Sequence, residues 1–91
     1  MTLSDKKIKI NCEIPEDELV WLFSYMDHMI RSFNDDVLEY ANQGDRENVE
    51  GCTAFRDLFL ILYHHFEPFE TQAIKDFIGD QEITINEVKD G

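Results

Sequence analysis

Two adjacent histidines, His64 and His65, close an apolar run covering residues 58–63, and with Cys52 they are the side chains best suited to metal ligation or nucleophilic chemistry. Their spacing argues against both. Successive helical residues diverge by about 100°, so His64 and His65 cannot grip one ion from one helix face. A helical zinc pair needs side chains four residues apart, and no His/His or Cys/His pair has that spacing. His64 follows Cys52 by twelve residues, about 18 Å along a helix and far outside the reach of a Cys–His dyad. The plainer expectation is that both histidines close a buried helix, where positive charge near the C-terminus is favourable. His28 falls on the polar side of its own segment, near Ser24 and Arg31.

Acidic clusters are the other chemical candidates. Asp45, Glu47 and Glu50 lie in a polar stretch, but a calcium loop beginning at Asp45 needs glycine at its sixth position and glutamate at its twelfth. Glu50 and Arg56 stand there instead. Asp35, Asp36 and Glu39 offer oxygen ligands, although a solvated helix face explains them as well. The chain has neither a G-x-S-x-G elbow nor a glycine-rich phosphate loop. The expectation is a protein that is not an enzyme and carries no metal or cofactor.

Charge points elsewhere. The 91 residues carry a net charge of -12, and the basic start (Lys6, Lys7, Lys9) conceals a steeper imbalance. From Ile10 onward, 19 acids face five bases. Such a field repels nucleic acid and anionic lipid and attracts basic protein surfaces. No apolar run approaches the ~20 residues of a membrane helix. MTLSDKKIKI lacks the apolar core of a secretory signal. Cys12 and Cys52 have no metal-type spacing and read as free thiols. A cytoplasmic setting is therefore expected.

The elements follow from apolar periodicity. Ile8, Ile10, Cys12 and Ile14 alternate with Lys9, Asn11 and Glu13, the pattern of a half-buried strand. Pro15 ends it and suits a first helical turn, with Glu16, Asp17 and Glu18 complementing the helix dipole. Leu19, Phe23, Met26, Ile30, Phe33, Val37 and Tyr40/Ala41 recur at three and four residues. They predict one long amphipathic helix to about Asn42, weakest at Asn34-Asp35-Asp36, with Gly44 in its stop signal. Residues 46–51 read as a loop with room for a short helical turn, and Thr53 as the cap of a second helix. Phe55, Leu58, Phe59, Leu62 and Phe66 fall on one side of that helix, and Leu60 and Ile61 fall elsewhere, with a buried strand from Leu58 to Tyr63 as the competing reading. A helix apolar nearly all round should be buried at the centre of the fold. Glu67-Pro68 breaks it, and a short third helix runs from about Pro68 to Ile78, turning Phe69, Ala73, Ile74, Phe77 and Ile78 inward. Residues 82–88 alternate again, and their Ile-Thr-Ile-Asn echoes the early Ile-Lys-Ile-Asn.

The expected architecture is thus α+β and mainly α: three helices packed together, with a short two-stranded β-ribbon from the N- and C-terminal segments, in a single small acidic domain over residues 1–91. A ribbon formed between two subunits is the alternative pairing.

Trp21 is the most informative single residue. With Asp17 at zero on a helical wheel, the core positions cluster near 160–240°, whereas Trp21, Tyr25 and Met29 fall at about 40°, 80° and 120°. They form a ridge beside the core stripe, of residue types enriched at interfaces. Either the second helix wraps far enough to cover Trp21, or the ridge meets a partner. The expected function is a non-enzymatic acidic regulatory protein that binds a basic protein surface, in its sharpest form a nucleic-acid-mimicking inhibitor of the kind phages encode. Trp21, Tyr25, Met29, Asp17, Asp35, Asp36 and Glu39 are its candidate contact residues. The alternative is a structural or assembly module, a homodimer joined through the Trp21/Tyr25/Met29 ridge.

Overall fold

The computed structural model describes residues 4–79 and 83–88. Helix α1 spans Glu16–Asn42, α2 spans Arg46–Phe66, a 3-10 turn covers Glu67–Phe69, and α3 spans Gln72–Ile78. The Pro15 carbonyl accepts from the Glu18 and Leu19 amides at 3.0 Å each, which starts α1 without a side-chain cap. The helix runs unbroken through Asn34-Asp35-Asp36. Gly44, at φ 71°, supplies the left-handed residue that turns the chain back after α1. Gly79, at φ 91°, ends α3 in the same way, its amide donating to the Lys75 carbonyl at 3.0 Å.

α2 begins earlier than its composition suggests. Asp45 caps it, with Oδ1 accepting from the Asn48 amide at 3.2 Å and Oδ2 accepting from Asn48 Nδ2 at 2.6 Å. The stretch from Arg46 to Gly51, expected as a loop, is the first part of the helix, and Thr53 lies inside it. An interior glycine costs about 1 kcal/mol of helix propensity, and packing of α1 against α2 outweighs that. Pro68 starts no α-helix: it sits in the 3-10 turn, and α3 begins later, where Thr71 Oγ1 accepts from the Ile74 amide at 3.3 Å.

Two expectations need correction. First, no β-ribbon forms among the described residues. Residues 8–14 and 83–88 are in neither helix nor strand. Strict alternation marks an extended backbone, and pairing also needs free amides and carbonyls on a partner. The C-terminal segment spends its own on side chains of α1 and α2. Residue 82, at the edge of the expected ribbon, lies outside the described residues.

Second, the run from Leu58 to Tyr63 is not the buried centre. Leu58 is 49% exposed and Ile61 66%, and Arg56 is the fully buried residue of α2. The core sits on α1 instead: Phe23, Met26, Ile30 and Val37 are each at most 2% exposed. Ile74 of α3 closes on Phe23 and Met26, ringed by half-buried Leu19, Val20, Leu22, Phe59, Tyr63, Phe66 and Ile78. Phe23 meets Tyr63 edge-on at 5.4 Å. The apolar arc of α2 is wider than one facing helix can cover. Leu58, Ile61 and Leu62 all remain exposed, so no further layer closes over that side of α2.

Tyr63 ties α2 to the segment before α3. Its hydroxyl donates to Glu70 Oε2 at 2.5 Å. Burial, then that hydrogen bond and the charge of Glu70, raise the Tyr63 phenol above its ordinary value of 10.0. A folded-state value above the unfolded one favours the neutral phenol, so this contribution to stability is complete below the ordinary value and is lost as the pH rises beyond it. Urea titrations through that alkaline range should show stability falling, and Tyr63→Phe should flatten the fall.

Candidate interaction surface

Two features stand out on this scaffold. The first is an apolar face shared by α1 and α2. Tyr25 meets Phe59 edge-on at 5.8 Å, Phe59 stacks on Phe33 at 6.3 Å, and Phe33 stacks on Phe55 at 5.3 Å. Rings from the two helices therefore form one continuous strip. On α2 the strip widens through Phe55, Leu58 and Leu62, which follow at three and four residues, the spacing of a seam that packs against another helix. Phe55 is 54% exposed, Tyr25 54% and Leu62 36%. Side chains of this kind are normally covered, and contiguous apolar surface marks an interaction site.

Of the ridge expected from the sequence, Tyr25 joins this strip and Met29 is half-buried. Trp21 is 60% exposed, and its ring rests edge-on against Phe77 of α3 at 5.5 Å, so the second helix does not wrap it. The expected acidic contacts do not converge. Asp17 lies in the first turn of α1, while Asp35, Asp36 and Glu39 lie in its second half. Asp17, Asp35 and Glu39 are exposed and Asp36 is half-buried. Burial, then the charges of Asp36 and Asp45, push the Cys52 thiol up, which disfavours the reactive thiolate. Exposed Cys12 should therefore be alkylated by iodoacetamide well before Cys52, a rate difference readable by mass spectrometry. His64 points outward to Glu67, with Nδ1 to Oε2 at 3.0 Å. The helix it closes is half-exposed rather than buried, because no layer covers that side of α2. Among the described residues no group of three or more His, Cys, Asp or Glu side chains converges on one point, and no helix is long and apolar enough to cross a membrane.

The second feature is a buried polar cluster that the sequence reading missed. Asn34 and Arg56 are each 4% exposed. Asn34 Nδ2 donates to the Thr84 carbonyl at 2.7 Å, and its Oδ1 accepts from the Asn86 amide at 2.8 Å. One carboxamide thus pairs with a carbonyl and an amide two residues apart, as a neighbouring strand would. Asn86 Nδ2 returns a bond to the Asn34 carbonyl at 3.0 Å. Arg56 Nη1 donates to Asn34 Oδ1 at 3.2 Å and to the Asn86 carbonyl at 2.6 Å, while Nε donates to Asp57 at 3.1 Å. No buried side-chain nitrogen or oxygen among the described residues lacks a partner. The signal was present in the sequence: Asn34 stands four residues after Ile30, and Arg56 stands four after Cys52 and three before Phe59. Both are polar residues inside otherwise apolar helical stripes.

No protein-family model matches the chain, and no curated protein or solved structure is significantly similar to it.

Proposed function

We propose that this protein is a non-enzymatic assembly module that self-associates through the apolar face of α1 and α2. The observation that carries the reading is the exposed strip of Tyr25, Phe55, Leu58 and Leu62, which continues the ring contacts joining α1 to α2. A face as long as α2, about 30 Å, and two helices wide, about 20 Å, suits a standard interface of about 800 Å² per partner. A second copy laid on it completes a four-helix arrangement and buries the apolar arc that one copy leaves open. Its setting in this reading is cytoplasmic, which fits the two free thiols.

Sedimentation equilibrium across protein concentration, at low and high salt, tests the proposal. Each copy carries a net charge of -12, so added salt screens repulsion between copies and should hold or strengthen the dimer. A monomer at every concentration would overturn the reading. Capture of a basic partner that weakens steeply with salt would transfer the function to the acidic surface, as a polyanion mimic requires.

A further inference from the structure

We propose that the cleft holding residues 83–88 reads extended peptide backbone, and that in trans it takes the N-terminal arm, residues 8–11, of a second copy. The grip on residues 83–88 is largely made to the main chain: the Thr84 carbonyl, the Asn86 amide and the Asn86 carbonyl are each held by Asn34 or Arg56. Among the described residues the side chain of Asn86 joins in, through its bond to the Asn34 carbonyl, and that of Ile83 is half-buried. Thr84 and Ile85 face outward, Ile85 at 37% exposed. Such a site asks its ligand for an extended backbone with asparagine at one position.

The arm meets that requirement. Ile8-Lys9-Ile10-Asn11 matches Ile83-Thr84-Ile85-Asn86 in register, with Lys9 at the position whose side chain the cleft leaves free. The arm lies outside the helices, its apolar and polar residues alternate as in an extended chain, and Ile8 and Ile10 are 78% and 79% exposed. It carries Lys6, Lys7 and Lys9, whereas the chain from Ile10 onward is strongly acidic, so the charges are complementary between copies. Beyond Asn86 the cleft continues into an open cavity of about 710 Å³, bordered by Ala41, Val49, Thr53 and Val88, with room for residues after Asn11. The arm's own cleft is out of reach. From Asn11 to Glu16 the chain spans at most about 18 Å, while Asn34 lies about 27 Å along α1 from Glu16. The occupant must come from another molecule, and the segment at residues 83–88 then acts as a resident competitor. This grip rests on backbone hydrogen bonds away from the apolar strip and stands or falls separately from association through that strip.

The test adds a synthetic peptide of residues 4–13 to the full-length protein and follows Asn86 by NMR. The unmodified peptide should bind and displace the resident segment, so that the Asn86 amide loses its protection from hydrogen exchange. The same peptide N-methylated at Asn11 lacks the donor that Asn34 Oδ1 would accept, and should bind at least about tenfold more weakly. The protein variant Asn86→Ala, which holds its own segment less tightly, should bind the unmodified peptide several-fold more tightly. Absence of binding would overturn the proposal. So would equal affinity of the two peptides, which would show attraction by charge alone, or binding that leaves the Asn86 amide protected.

Discussion

Replacing Leu58 and Leu62 together by glutamine should abolish association through the apolar strip without unfolding the protein. Both side chains are substantially exposed in a single copy, at 49% and 36%, so exchanging them for polar groups of similar size removes little intramolecular packing. Surface changes of this kind usually move stability by within about 0.5 kcal/mol. Across a dimer interface the same groups would be desolvated near the centre of the face. Truncating an apolar anchor there costs about 1–2 kcal/mol or more, and in a symmetric dimer every substitution acts twice. The double variant should therefore raise the dissociation constant at least ~100-fold, as read by sedimentation velocity, with the far-ultraviolet circular dichroism unchanged. Loss of helical signal would show instead that Leu58 and Leu62 hold α2 in place within one copy.

Asn34→Ala should be the most damaging single change to the polar cluster. It removes the acceptor shared by Arg56 and the Asn86 amide and the donor to Thr84. Arg56 is then left buried with its charge facing fewer partners, and stranded groups of that kind cost about 1–3 kcal/mol each. A loss of about 2–4 kcal/mol in urea unfolding is expected, together with exchange of the Asn86 amide at the rate of an open chain. Arg56→Met should cost less. It removes the buried charge itself, keeps most of the side-chain volume, and leaves the Asn34 carboxamide paired with residues 84 and 86. Equal and small effects of both changes would mean that residues 83–88 are held by apolar contacts instead.

How much of this was legible in the sequence depends on the element. The apolar stripe of α1 was readable, because Phe23, Met26, Ile30 and Val37 recur at helical steps and are buried; the fifth buried residue of the helix, Asn34, was not. The presence of α2 was readable and its burial was not. Periodicity says which side chains share a face, but it does not say whether another layer exists to cover that face. The alternation in residues 8–14 and 83–88 predicted paired strands, and neither segment is a strand. It could not reveal that Asn34 supplies, from a helix, the hydrogen bonds a second strand would have supplied. Asn34 and Arg56 were visible only as interruptions of apolar stripes, and their meaning needed the fold, since their partners lie 52 and 30 residues away at Asn86. Of the residues in the exposed strip, the sequence pattern marks Tyr25 of α1 as lying beside the core stripe. The acids chosen beside it are spread over the helix and share no common target.

In the proposed dimer, the strip formed by Tyr25, Phe55, Leu58 and Leu62 is covered in solution by the same strip of a second copy. Isotope-filtered nuclear Overhauser spectra on an equal mixture of labelled and unlabelled protein test it most directly. Contacts between the Leu58 and Leu62 methyls of one copy and the Tyr25 and Phe55 rings of the other are the predicted result. Spectra in which these groups show contacts only within their own chain, at concentrations well above micromolar, would contradict it.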